Sequence, residues 1–145
     1  VYVVYIKRQL LHISHIFVLG LSCNMRKDNF IVVADDDPAI LDAMKMILEF
    51  YNFTVETVAD GLLLPQLLRH KPQLLFLDVC MAGLNGGEIC KALKKNVETK
   101  NIPVVMISAN TDLVKTVKQS GADDYLAKPF QIEDLISKVD KFLLN

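Results

Sequence analysis

Residues 30–41, FIVVADDDPAIL, hold the pattern that decides the fold. Phe30–Ala34 is a short, wholly apolar run rich in β-branched residues, as a strand buried on both faces of a parallel sheet requires. Asp37 supplies a side-chain acceptor for a helix N-cap, and Pro38 suits a first turn, where its missing N–H is not needed. Ile40, Leu41, Met44, Ile47 and Leu48 then recur on one helical face.

Further along, Thr54–Val58 alternates like a strand, and Leu62–Leu68 reads as a short apolar helix whose Pro65 is tolerable only near its first turn. Leu74–Leu77 is a second buried strand, ending on Asp78. Residues 83–87 make a glycine-rich loop, and Glu88–Lys95 a helix with Ile89, Ala92 and Leu93 inward. Pro103–Ile107 is a third buried strand, ending on Ser108; Thr111–Gln119 is helical and closed by Gly121. Asp124–Ala127 is a last short strand, and Ile132, Leu135, Ile136, Val139, Phe142 and Leu143 fall at helical spacing after it. Met44, Met46 and Met106 read as core filler, and His70 as a solvated helix-end residue. Five strands alternating with five helices predict an α/β domain, a parallel sheet covered on both faces through right-handed crossovers. Ligands of such sheets sit beyond the carboxyl ends of the strands.

The chain has 145 residues, enough for one domain with a good core. A formal net charge of −1 gives no support to nucleic-acid binding through a basic face. Cys23, Cys80 and Cys90 lack the spacing of a zinc site or disulfide frame and read as free thiols in a reducing compartment. Residues 1–24 stand apart: apolar, aromatic and without an acid. The uncharged run between Arg8 and Arg26 is interrupted by His12 and His15 and falls short of the roughly 20 apolar residues of a spanning helix. A signal peptide is a weaker fit, since export would part the chain from its expected chemistry; Gly20 weakens a lipoprotein signal at Cys23. The expected division is an apolar N-terminal extension, 1–24, added by a distant start codon, and a working domain over 25–145.

Polar residues gather where the strands end. Asp35, Asp36 and Asp37 close the first strand, Asp78 the third, Ser108 the fourth, and Lys128–Pro129 the fifth. Two unit charges 4 Å apart repel by roughly 4 kcal/mol at a surface-like dielectric, so crowded carboxylates call for a cation among them. Oxygen ligands with retained waters suit Mg²⁺, and a lysine ammonium opposite adds three donors. With Asp78 as nucleophile, attack on phosphorus would give an acyl phosphate whose oxygens Lys128 and Ser108 could hold.

Four strings in this order, IVVADDDPAIL, LLFLDVCMAGLNGGEI, IPVVMISAN and GADDYLAKPF, closely resemble the receiver domain of response regulators, the CheY-like family. The resemblance covers about residues 28–143 and implies a flavodoxin-like doubly wound sheet of strand order 2-1-3-4-5. It also implies Asp78 as phosphoacceptor, and a Mg²⁺ ion bound by the carboxylates of Asp36 and Asp78, by the backbone carbonyl of Cys80 and by Asp35 through water. Ser108 would meet a phosphoryl oxygen, Lys128 would pair with it, and Pro129 would follow a cis peptide bond. Tyr125 matches an aromatic switch that turns inward as the Ser108 hydroxyl moves. Cys80 and Asn110 occupy positions that influence the lifetime of the phosphoryl group. The implied partners are a sensor histidine kinase or phosphotransfer protein and a downstream protein target. A phosphorylation-dependent dimer is also open, and the implied compartment is the cytoplasm. Two departures lie in the loop after Asp78: Ala82 where the family usually has proline, and Asn85 where it often has aspartate.

Plainer explanations compete. Asp37 is explained as a helix cap, but one cap does not need Asp35 and Asp36 as well. Tyr125 also fits a strand aromatic packed on the last helix. A haloacid-dehalogenase-like phosphatase would want a second Asp where Cys80 stands. A flavin-type nucleotide site would want a Ser/Thr/Gly loop where Asp35–Asp37 would repel phosphate. A pseudo-receiver, binding partners without phosphorylation, is the alternative closest to the leading function.

Overall fold

In the computed structural model, which describes residues 29–109 and 113–144, β1 (Phe30–Ala34) lies inside a five-stranded parallel sheet. Its neighbours are β2 (Thr54–Val58) and β3 (Leu74–Asp78). Two-residue strands β4 (Cys80–Met81) and β5 (Leu84–Asn85) form a separate antiparallel pair, and β6 (Val104–Ser108) and β7 (Asp124–Ala127) complete the main sheet. The order is β2-β1-β3-β6-β7, which is 2-1-3-4-5 when the sheet's own strands alone are counted. The flavodoxin-like α/β expectation therefore holds. The helices are α1 (Pro38–Phe50), α2 (Leu64–Leu68), α3 (Gly86–Lys95), α4 (Leu113–Ser120) and α5 (Ile132–Leu143).

The pleat explains why the central strands are apolar throughout. Ile31 and Val33 of β1, Leu74 and Phe76 of β3, and Val105 and Ile107 of β6 pack on one side with Ile40, Leu41, Met44, Ile47 and Leu48 of α1 and Ile132, Leu135 and Val139 of α5. The alternate residues Val32, Ala34, Leu75, Leu77, Val104 and Met106 face the other side, against Leu64 and Leu68 of α2, Met81, and Cys90 of α3. Side chains that alternate across a strand demand apolar residues at every position once both faces are covered. Met44 and Met106 are core residues as expected, but Met46 is not: it is 47% exposed, because it falls on the outward side of α1.

Element ends follow local chemistry. Asp37 caps α1, accepting from the Ala39 amide at 2.9 Å, with Pro38 in the first turn. The helix expected over Leu62–Leu68 starts only at Leu64, and Leu62 and Leu63 are exposed in the turn before it. The helix expected from Glu88 starts two residues earlier, because the Asn85 side chain accepts from the Gly87 and Glu88 amides and draws both glycines into the first turn. The fourth helix runs Leu113–Ser120, so the expected Thr111 start and Asn110 lie outside the described residues, as do the expectations for 1–24 and for Cys23. Cys80 is a free exposed thiol and Cys90 a free buried one. Among the described residues no helix is long and apolar enough to cross a membrane.

Gly86 fixes where α3 meets the sheet. Its amide donates to the Val79 carbonyl at 2.8 Å, and a Cβ there would be driven into the backbone carbonyl of Asp78, with the Val79 Cα only 3.1 Å away. Backbone cannot swing aside as a side-chain tip can. Gly86→Ala should therefore destabilise the domain by about 3 kcal/mol, the upper range for overpacking. Urea unfolding checks this, and an unchanged midpoint would show that the α3 junction yields freely.

Candidate functional site

Pairing in register brings the strand ends to one rim: Ala34 lies beside Leu77, Asp78 beside Ile107, and Ser108 beside Ala127. The residues just past β1 and β7, and those closing β3 and β6, are thus neighbours. Asp35 is fully buried, Asp78 is 5% exposed and Ser108 6% exposed, while Asp36 is on the surface. The amide of Lys128 donates to the Ser108 carbonyl at 2.8 Å, which anchors the segment after β7. The Lys128–Pro129 peptide is cis, as the resemblance implied.

One ammonium joins two acids. Lys128 Nζ donates to Asp35 Oδ2 at 2.6 Å and to Asp78 Oδ1 at 2.8 Å. The remaining oxygens are oriented by backbone: the Asp37 amide donates to Asp35 Oδ1 at 2.9 Å, the Cys80 amide to Asp78 Oδ2 at 2.8 Å, and the Ala82 amide to Asp36 Oδ2 at 2.8 Å. Oxygens of Asp35, Asp36 and Asp78 lie within 4.8 Å of one another. Three carboxylates against one ammonium leave a formal charge of −2 at the rim.

The titration behaviour follows from this crowding. Burial pushes the Asp35 carboxyl above the usual carboxylate range; the Lys128 ammonium and the Asp37 amide oppose the shift, and the charge on Asp78 adds to it. Burial also pulls Lys128 down, but its bonds to Asp35 and Asp78 outweigh that and hold it above the ordinary lysine value. The two directions are compatible. The ammonium has two acceptors at once, whereas Asp35 shares that single cation with Asp78.

A divalent cation fits this donor set. The cluster is all oxygen, and a doubly charged ion would balance the remaining −2. Octahedral Mg²⁺ with bonds near 2.1 Å keeps its ligand oxygens no more than about 4.2 Å apart, close to the present spread. Cys80 is exposed and engages Asp78 through its amide.

Two contacts here were not legible in the sequence. Ala82 has φ +42° and uses its N–H on Asp36. A proline could neither adopt that φ nor supply the N–H, so the departure from the usual proline creates a tie between this loop and the acids. The second is on β7. Tyr125, the expected aromatic switch, is 38% exposed, and Lys138 Nζ stands 5.4 Å from its ring centroid. Lys138 and Lys141 also grip Asp124, at 2.8 and 2.6 Å.

Burial pushes the Asp124 carboxyl up, but the two ammonium groups more than offset this and hold it below the ordinary carboxylate value. A depressed folded-state pKa contributes stability above the unfolded value, and that contribution is lost as pH falls through the folded one. Asp124→Asn should thus cost about 1 kcal/mol at pH 7, a deficit that closes below roughly pH 4. Parallel urea titrations at both pH values test it; a deficit that grows on acidification would contradict the assignment.

Comparison with known proteins agrees with this geometry. The family model described as response regulator receiver domain matches residues 31–140. The chain is 34% identical over 116 residues to the DNA-binding dual master transcriptional regulator RpaA of Synechocystis, covering 78% of this chain and 48% of that protein. It is 35% identical over 112 residues to the DNA-binding response regulator MtrA of Mycolicibacterium smegmatis, covering 75% and 48%. It therefore spans about half the length of the curated relatives it matches. Among solved structures it resembles the chemotaxis response regulator CheY4 of Vibrio cholerae, with TM-score 0.72 and 27% identity over 79% of this chain and 98% of that one. The chain belongs to the response regulator receiver family. It is a signalling module rather than a classical enzyme, with its acidic pocket built from Asp35, Asp36 and Asp78.

Proposed function

We propose that this receiver, working as a unit over residues 25–145, takes a phosphoryl group on Asp78 from a histidine kinase, a phosphotransfer protein or a small phosphodonor. The observation that carries the proposal is Asp78 itself: nearly buried at the sheet's carboxyl rim, yet held between the Lys128 ammonium and the Cys80 amide beside two further acids. A carboxylate oxygen of Asp78 attacks phosphorus and a new P–O bond forms; from an acyl phosphate the P–O bond to the departing carboxylate breaks, and from a phosphohistidine the P–N bond to the imidazole. The leaving group departs with the bonding pair. Lys128 and the Ser108 hydroxyl hold the equatorial oxygens. Asp35 (through water), Asp36, Asp78 and the Cys80 carbonyl would hold Mg²⁺, which when bound neutralises charge on the acids and on the transferring group.

Phosphorylation then biases the surface formed by α4, β7 and α5, with Tyr125 turning inward as Ser108 engages the phosphoryl group. That surface docks a downstream protein in the cytoplasm or a second phosphorylated copy; direct nucleic-acid contact is not part of the proposal. Incubation with acetyl phosphate and Mg²⁺ should add one phosphoryl group as an acid-stable, base-labile adduct in the Asp78 peptide, and chelator should abolish it. An adduct elsewhere would refute the site. No adduct, with partner binding intact, would place the chain among pseudo-receivers.

A further inference from the structure

The opposite end of the sheet carries a groove that the phosphoacceptor chemistry does not use. It runs between the C-terminal ends of α2 and α3, is lined by Pro65, Leu68 and Arg69, by Lys71, and by Leu93 and Val97, and has room for about 700 Å³. That is within the roughly 300–1,000 Å³ of small-molecule sites. Leu68 floors it, 3% exposed, while Val97 at its lip is 74% exposed, a large aliphatic surface left in water.

Its charges are uncommitted. Among the described residues, Arg69, Lys71 and Glu98 enter no ion pair, although all three line this groove. A second hollow of about 520 Å³ adjoins it, sharing Lys71 and Glu98 and adding no other charged residue. Two cations against one acid leave a net +1. Lys71 has φ +52°, just after α2, where its amide donates to the Leu68 carbonyl at 3.0 Å. This left-handed position more often holds glycine or asparagine, while a cation there also suits the carbonyl end of α2.

We propose that this groove binds a small organic monoanion with an apolar body, such as an aryl or branched-alkyl carboxylate. The apolar part lies on Leu68, Leu93 and Val97, and the anionic group meets Arg69 and Lys71 through charge-assisted hydrogen bonds. Glu98 on the same lining disfavours a second negative charge.

The test uses the full chain and a matched pair of fluorescent probes, 1-anilinonaphthalene-8-sulfonate and its neutral parent N-phenyl-1-naphthylamine. The sulfonate should bind saturably, one per chain, about tenfold tighter than the neutral amine. Arg69→Gln and Lys71→Gly should each weaken sulfonate binding about fivefold, and Glu98→Gln should strengthen it. Lys71→Gly also relieves the left-handed backbone, so its stability should hold or rise and weaker binding cannot be ascribed to unfolding. Equal affinity for the two probes, or sulfonate binding unchanged in Arg69→Gln/Lys71→Gly, would overturn the proposal. Acetyl phosphate labelling of Asp78 is read separately, so either assignment can fail without the other.

Discussion

Asp78→Asn is expected to accept essentially no phosphoryl group while becoming more stable than the parent in metal-free buffer. The first half follows from the nucleophile: an amide oxygen cannot form the acyl phosphate that a carboxylate forms. The second half follows from the rim, where the charge on Asp78 already works against ionisation of Asp35. Removing one of three clustered acids relieves repulsion of up to roughly 4 kcal/mol per close pair. The substitution gives up one of two accepted bonds, because Lys128 and the Cys80 amide use different oxygens of Asp78 and an amide has only one. A net gain of about 1 kcal/mol is the balance we expect. Urea unfolding without metal measures it, and added Mg²⁺ should narrow the gap, because the parent has more charge with which to bind the ion. Labelling of Asp78→Asn at the parent rate would remove the site assignment altogether.

Lys128→Met should have the opposite signature. Methionine keeps much of the stem but leaves Asp35 and Asp78 buried together without their shared cation. Removing one partner of a buried ion pair typically costs about 3–5 kcal/mol, and we expect about 3 here because Asp36 and the loop beside it admit water. Mg²⁺ at one hundred times its dissociation constant should restore about 2.7 kcal/mol by mass action. Labelling should slow on the order of a hundredfold, the usual cost of losing one electrostatic donor. Metal-free stability equal to the parent would mean the ammonium is not the counterion that the geometry makes it.

The sequence showed most of the sheet because burial on both faces forces unbroken apolar runs, and those runs stop where the polar rim begins. Asp35, Asp78 and Ser108 were legible for that reason, each the first polar residue after such a run. Lys128 instead follows the half-exposed edge strand Asp124–Ala127 and was read from its place at that strand's end. Interactions made by main-chain groups were not. Nothing in the letters around Ala82 announces a positive φ or an amide aimed at Asp36 across 46 positions. The early start of α3 was within reach, since Asn85 ahead of Gly86, Gly87 and Glu88 is a capping signal. Met46 misled because hydrophobicity says that a residue can be buried, not which way a helix turns it.

The two bonds of Lys128 span 93 and 50 positions along the chain. No local fragment can rehearse that arrangement. The acids acquire their common counterion only after β7 has docked, so a nascent polypeptide still lacking β7 would hold Asp35 and Asp78 without their cation. Formation of this ion-pair triad therefore reports that the sheet has closed through its fifth strand.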